Sequence, residues 1–312
     1  MEEVNVTSGF ILLGFSDLHY NHGAFFSTLL VIYTLTWMAN LLLLSSIKLS
    51  SQLHTPMYFF LGNLSAVDIS FSSVTVPKLL SFILYGRASI SFLGCFLQMF
   101  SFLFLGTTES LLLAVMAFDR YLAICNPLRY MLLMNDKVMV MLAIICWVAG
   151  CLHSLLHTYI LSQLTYCEDR LIPHFFCDMT PLIKLSCSST TLAELLIYTE
   201  GSTVVIIPFI FILISYVLIG WAIVRMKTSS SRSKAFSSCS SHLMVICLFY
   251  GTDISIYFRP PSDYSSQYDR IVSMAYTIIT PMLNPFIYSL RNQDVRQALK
   301  KVIMQCFSHR LP

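Results

Sequence analysis

Charge is scarce in these 312 residues: only 11% are Asp, Glu, Lys or Arg, against ~25% in a soluble domain. With 56% hydrophobic residues and a mean hydropathy of +0.72, the chain reads as a polytopic membrane protein. Other absences narrow the function. No His-Glu-x-x-His metal motif occurs, and no nucleophile and base share a convincing spacing, which argues against an intramembrane hydrolase. The last apolar segment holds no Lys, so a retinal-type Schiff base has no amine to form on. No internal repeat is visible, which weakens an inverted-repeat transporter. No basic patch calls for nucleic acid. The first residues, Met1-Glu2-Glu3, lack the positive start of a signal peptide, and the apolar patch at 10–15 is shorter than a signal-peptide core. The first long apolar segment is therefore expected to act as an uncleaved targeting signal.

What the chain does have is seven such segments, near residues 24–47, 57–80, 95–121, 139–160, 196–222, 239–258 and 272–290. Each is long enough to cross the ~30 Å hydrocarbon layer as a helix. The predicted fold is an all-α, seven-transmembrane helix bundle with a short amphipathic C-terminal helix. It forms one unit over 1–312: a tail at 1–23, a bundle at 24–290 and a second tail at 291–312. No room remains for a separate soluble domain. Thirteen Lys and Arg residues, among them Arg120, Arg129, Arg225 and Lys300, fall on one side of these spans; six, from Lys78 to Arg270, fall on the other. The positive-inside rule then puts the N-terminus outside and the C-terminus in the cytoplasm, so a multi-pass plasma-membrane location is expected. The net charge of +3 hides this asymmetry.

Asn5-Val6-Thr7 is a glycosylation sequon in the external tail; a second, at Asn63, lies inside a span where no glycan fits. Of ten cysteines, Cys95, Cys167, Cys177 and Cys187 fall on the oxidising outer side, where two disulfides are expected. Three pairings of four cysteines remain open. The other six are expected to be free thiols, with Cys306 a palmitoylation candidate. The connection at 161–195 is the longest and is expected to fold over the outer mouth. The Ser-rich, basic stretch 223–238 reads as a solvated linker. Beyond it, Val295, Leu299, Val302 and Ile303 give 293–306 an apolar stripe for the inner leaflet.

The third span carries the most chemistry. Phe102, Gly106, Glu109, Leu113 and Arg120 share one stripe, because seven residues make nearly two helical turns and eighteen make five. Glu109 and Asp68 sit near mid-membrane, where a carboxylate is costly unless neutralised or paired. Facing one interior, they can bind a cation such as Na⁺, share a proton or hold water, with Ser110 and Asn284 adding oxygens. At the inner end, Asp119, Arg120 and Tyr121 offer an ion pair that can open towards another acceptor. Asn284, Pro285 and Tyr288 place a polar, donor-deficient point in the last span, where lipid otherwise enforces an unbroken helix.

The chain resembles a rhodopsin-like G-protein-coupled receptor and, within that class, an olfactory receptor. Five stretches in order carry the likeness: Leu53-His54-Thr55-Pro56-Met57-Tyr58-Phe59-Phe60-Leu61-Gly62-Asn63-Leu64-Ser65, Met116-Ala117-Phe118-Asp119-Arg120-Tyr121-Leu122-Ala123-Ile124-Cys125-Asn126-Pro127-Leu128-Arg129-Tyr130, Ser215-Tyr216, Lys234-Ala235-Phe236-Ser237-Ser238-Cys239-Ser240-Ser241-His242-Leu243, and Pro281–Asn292. The resemblance implies a small volatile ligand in the outer half of the bundle and a stimulatory heterotrimeric G protein that raises cyclic AMP. It implies disulfides Cys95–Cys177 and Cys167–Cys187, interior acids Asp68 and Glu109, and a switch of Asp119, Arg120, Tyr121, Tyr216, Asn284, Pro285 and Tyr288. By position, Phe102, Leu103, Gly106, Thr107, Val204, Ile207, Asp253, Tyr257 and Ile278 are expected to line the pocket. Asp253 stands where the family usually has a small apolar residue, and it would favour a cationic or hydrogen-bond-donating odorant. Pairing with Arg259 or His157 would cancel that effect. No enzymatic activity is expected, and no cofactor beyond a bound Na⁺ at Asp68 and Glu109. The rival reading is an ion- or proton-coupled transporter built on the same two acids.

Overall fold

A computed structural model describes residues 9–15, 21–86, 88–167, 170–257, 266–291 and 295–301, with side chains at 234, 238, 256, 257, 266, 290 and 291 excepted. Seven of its helices are long and apolar enough to cross a membrane: α1 (His22–Leu49), α2 (Pro56–Tyr85), α3 (Phe92–Cys125), α4 (Asp136–Ser162), α5 (Thr191–Arg225), α6 (Ser229–Tyr257) and α7, which joins Ser266–Met274 to Thr280–Arg291. The protein is an all-α, multi-pass membrane bundle.

Local chemistry sets the helix starts. Asn21, Ser91 and Asn135 each accept a hydrogen bond from the backbone N–H three residues on, relieving donors that a first turn leaves unpaired. Pro56 opens α2, where its missing N–H costs nothing, and Gly86 ends that helix at φ 73°. In α5 and α7, wider π turns at Ile197–Gly201 and Ala275–Ile279 interrupt the ordinary ladder.

Pro285 lies within α7. Its absent N–H leaves the Pro281 carbonyl, one turn earlier, without its helical donor. The Asn40 side chain of α1 supplies one at 3.1 Å, while also binding the Thr36 carbonyl. The weak point in the last helix thus becomes a tie between α1 and α7.

Burial is the reverse of a water-soluble core. Val31, Val148, Val217 and Trp221 face outwards, whereas Asn40, Asp68, Glu109, Ser110 and Thr277 are buried. This arrangement fits hydrocarbon outside and polar groups satisfied within. The most enclosed helix is α3. On α4, Gly150 and Ser154 face α3: a Cβ at Gly150 would meet the Thr108 hydroxyl, and Ser154 Oγ donates to the Phe100 carbonyl at 2.5 Å. Small residues four apart let two helices approach closely. Trp147 Nε1 donates to Asn63 Oδ1 at 3.0 Å, so the second sequon's asparagine joins α4 to α2.

A three-stranded sheet closes the disulfide-bearing end. β1 (Gly9–Leu12) pairs antiparallel with β2 (Ala88–Ser91) and parallel with β3 (Leu171–Ile172). Phe10 and Leu12 alternate inwards and are buried. Within the tail expected over 1–23, the apolar patch at 10–15 supplies strand β1 and the buried Phe15.

Two other boundaries move. The stretch 223–238 is helical from Ser229, whose first turn is capped by Thr228 Oγ1 accepting from Ser231 N–H at 3.3 Å. The solvated linker shrinks to 226–228. Between α3 and α4, a 3₁₀ turn (Pro127–Arg129) and a short helix (Tyr130–Leu133) replace the expected loop. Residues 295–301 are helical, with Val295 and Ala298 buried and Arg296 and Lys300 exposed.

Candidate functional site

The disulfide end holds a cavity of about 350 Å³ beneath a lid. Its walls include Phe102, Leu103, Gly106, Thr107 and Ser110 from α3, Val204 and Val205 from α5, Phe249 and Asp253 from α6, and Ser273 and Tyr276 from α7. The volume suits a small organic molecule, and the walls set aromatic and aliphatic side chains beside polar ones such as Ser110, His174 and Asp253, so an apolar body with a polar group fits.

The lid comes from the long connection, which supplies His174, Asp178, Met179 and Lys184 to the cavity. Cys95–Cys177 fastens it to the start of α3 and Cys167–Cys187 closes it on itself. Gln98 adds a second fastening, accepting from the Cys177 N–H at 3.0 Å and donating to the Val74 carbonyl at 2.9 Å. Phe176 packs on Phe102, with ring centroids 4.6 Å apart, and Phe175 stacks on Phe15 of the N-terminal plug. Arg270 of α7 reaches across to the Gly14 carbonyl. Gly14 is needed there: its φ is 51°, and a Cβ would come within 2.5 Å of the Phe82 ring. His174 is buried, and burial together with the Arg270 charge pushes its imidazole down to about 3.

Of the nine expected pocket residues, six line this cavity: Phe102, Leu103, Gly106, Thr107, Val204 and Asp253. The Tyr257 side chain lies outside the described residues. Ile207 is a correction. It is 61% exposed and faces a groove between α3, α4 and α5 on the bundle's outer surface, because it lies about 200° round the helix from Val205, which lines the cavity. Ile278 is also corrected. It is buried but does not line the cavity. Asp269, Ser273 and Tyr276 reach the cavity at helical spacing, and two residues beyond Tyr276 the helix has turned by about 200°, to the far side.

Asp253 is 7% exposed, and its Oδ2 has no hydrogen-bond partner among the described residues. His157 does not pair with it; its Nε2 lies 2.7 Å from Glu200 Oε2. Arg259, like Asn5 and Cys306, lies outside the described residues. Cys125, Cys146, Cys151, Cys239 and Cys247 are free thiols.

Below the cavity lies a buried polar layer. Asn284 Nδ2 donates to Asp68 Oδ1 at 2.9 Å, and Ser110 Oγ and Tyr250 Oη are 2.9 Å apart. Asp68 and Glu109 are close enough to interact electrostatically. Among the described residues, Glu109 Oε1 and Asn284 Oδ1 are buried acceptors without a hydrogen-bond partner. A carboxylate pair with spare oxygens is a donor set that suits a hard monovalent cation or a shared proton.

At the opposite end, Arg120 Nη2 donates to Asp119 Oδ2 at 2.7 Å. Tyr130, in the short helix after α3, donates to Asp119 Oδ1 at 2.7 Å. Burial and the neighbouring Asp119 raise the Tyr130 hydroxyl well above its ordinary range, so it stays a donor. Tyr216 Oη lies 2.7 Å from Nδ1 of the buried His242, joining α5 to α6. Tyr288 is buried with a hydroxyl lacking a partner. Tyr121 is half-buried and stacks on Phe118. His242 was seen in the sequence only within a motif. Its role needed the fold, since its partner is 26 residues away on another helix.

A lidded cavity at one end, a buried acidic layer and a latched arginine at the other define a seven-helix membrane receptor. A family profile described as olfactory receptor matches residues 29–306. Among curated proteins, the chain is 48% identical to olfactory receptor 1f45 of Rattus norvegicus over 298 residues, covering 96% of this chain and 95% of that protein. It is 47% identical to olfactory receptor 1J1 of Mus musculus, covering 95% of each. It is 46% identical to olfactory receptor 1J4 of Homo sapiens, covering 96% of each. The chain belongs to the olfactory receptor family.

Proposed function

We propose that this receptor binds a small volatile odorant in the cavity beneath the lid and activates a stimulatory heterotrimeric G protein, raising cyclic AMP. The observation that carries the reading is the lidded cavity, into which Asp253 brings a carboxylate oxygen without a hydrogen-bond partner among the described residues, in a chain of this family. The N-terminus and the lid are then extracellular, and the Arg120 end is cytoplasmic, in keeping with the excess of basic residues there.

The mechanism is a shift between two bundle states. An odorant moves the equilibrium only by its difference in affinity for the two states. In the resting arrangement, Asp119 holds Arg120 and His242 holds Tyr216. Activation releases both. Arg120 and Tyr216 then serve the open cytoplasmic groove where a G-protein helix docks. Asn284, Pro285 and Tyr288 form the part of α7 that moves with them, and Tyr288 brings a hydroxyl free to take a new partner. The acidic layer of Asp68 and Glu109, with Ser110 and Asn284, holds Na⁺ or a shared proton in the resting state and couples the two ends. No catalysis is involved.

The test is a broad odorant panel on cells expressing the receptor with a cyclic AMP reporter. A responding odorant is expected for the unaltered chain. Arg120→Ala is expected to reach the surface at a normal level and to lose the response. Full signalling by Arg120→Ala would reject the switch, and solute flux without any G protein would favour a transporter.

A further inference from the structure

One side-chain cluster borders the lidded cavity through His153 alone and lies apart from the switch. His153 and His157 are one turn apart on α4 and present their rings to the same side, with centroids 4.6 Å apart. Glu200 reaches them from the π turn of α5. His153 Nδ1 lies 2.9 and 3.0 Å from the two carboxylate oxygens, and His157 Nε2 lies 2.7 Å from one of them. One donor atom from each of the three residues lies within 4.8 Å of the others. Among the described residues, no second group of three His, Cys, Asp or Glu side chains converges in this way.

We propose that His153, His157 and Glu200 form a binding site for a divalent transition-metal cation of the Zn²⁺ class, clamping α4 to α5. The donor set decides the class. Two imidazoles and one carboxylate suit Zn²⁺ and its neighbours, whereas Ca²⁺ and Mg²⁺ take oxygen ligands. Two His at i and i+4 on one helix with a carboxylate from a second element is a recurrent zinc arrangement. A tetrahedral ion with bonds of ~2.0–2.1 Å needs donors about 3.3 Å apart. The His–Glu separations therefore open by about 0.3–0.6 Å, and the two imidazole donors, within 4.8 Å of each other, close by up to about 1.5 Å. Glu200 can make the first adjustment because its side chain is 33% exposed, and the second falls to His153 at 9%, since His157 at 1% is held by packing.

Protons balance without a further reagent. Binding through His153 Nδ1 and His157 Nε2 moves each ring proton to the other ring nitrogen; a protonated ring releases one. Three protein ligands leave one position open. His153 lines both the lidded cavity and the groove between α3, α4 and α5, so that position is reached from space already in the fold. The site does not depend on which odorant binds, or on whether one does.

The test uses untagged full-length receptor in lipid nanodiscs, with free thiols alkylated. Zn²⁺ is titrated, and Co²⁺ serves as an optical reporter. The expected result is one saturable Zn²⁺ per chain and an intense visible Co²⁺ spectrum of a four-coordinate ion. His153→Gln and Glu200→Gln, each with an unchanged thermal transition, should weaken Zn²⁺ by at least ~10-fold and abolish the spectrum. A variant that fails to fold is replaced by His153→Asp, which keeps a donor and should keep the metal. Weak binding at His22 or His54 is common to all these chains and cancels. Unchanged affinity in His153→Gln and Glu200→Gln, or no saturable binding by the unaltered chain up to ~0.1 mM Zn²⁺, would overturn the proposal.

Discussion

At Asp253 a single carboxylate oxygen meets the cavity without a partner among the described residues. A charge-assisted hydrogen bond to a buried carboxylate contributes ~1.5–3 kcal/mol, or about 10–100-fold in affinity. Asp253→Ala should therefore weaken amine odorants by that factor in cyclic AMP dose–response curves and leave neutral odorants unchanged or stronger. Equal losses for both classes would reject the assignment. His174 gives a second prediction at this scale. Its imidazole is held near 3 when folded against 6.5 when free. The unfolded or opened lid therefore binds a proton that the closed lid refuses. Stability is fully present above pH 6.5 and falls as pH drops towards 3. The loss is about 2 kcal/mol by pH 5. Backbone hydrogen exchange over 173–178, corrected for intrinsic rate, should rise between pH 7 and 5, and His174→Gln should flatten that rise. Asp119 and Arg120 were legible as neighbours in sequence, whereas Tyr216 with His242, and His157 with Glu200, depended on which helices lie side by side.

Gly150 shows what the helices require of one another. A Cβ there would meet Thr108 Oγ1 and come to 2.9 Å from the Phe104 carbonyl, and backbone cannot yield as a side-chain tip can. Gly150→Val should cost ~1–3 kcal/mol through overpacking, read as a lower melting temperature in nanodiscs and reduced surface expression. An unchanged melting temperature would mean that α3 and α4 are not in close contact there. Existence and rough extent of the seven spans were legible because lipid imposes length and apolarity together. The elements that escaped were the ones not governed by lipid. Strand Gly9–Leu12 is too short to show period-two alternation, and its partners lie far along the chain. The π turns leave no mark in composition. The helical start at Ser229 was hidden by Ser-rich, basic composition that reads equally well as loop.

Across the whole molecule, polarity runs inside out, and that is why composition alone identified a membrane bundle. The polar residues with nowhere to go but inwards—Asp68, Glu109, Ser110 and Asn284—were legible as a functional layer for the same reason, whereas Asn40 was not. Their specific bonds were not. Asn40 answers the carbonyl that Pro285 orphans, a relation between residues 241 positions apart. The lid was expected from the length of the 161–195 connection, but its partners in the N-terminal plug and α7 were not, since contacts between the chain's two ends leave no local trace.

The parallel pairing of Gly9–Leu12 with Leu171–Ile172 also sets a schedule for biosynthesis. The first of these segments leaves the ribosome more than 150 residues ahead of the second. At 5–20 residues per second that interval is roughly 8–30 s. Throughout it, Phe10, Leu12 and Phe15 lack a complete docking surface, so the cavity at this end is roofed only after four helices have been threaded.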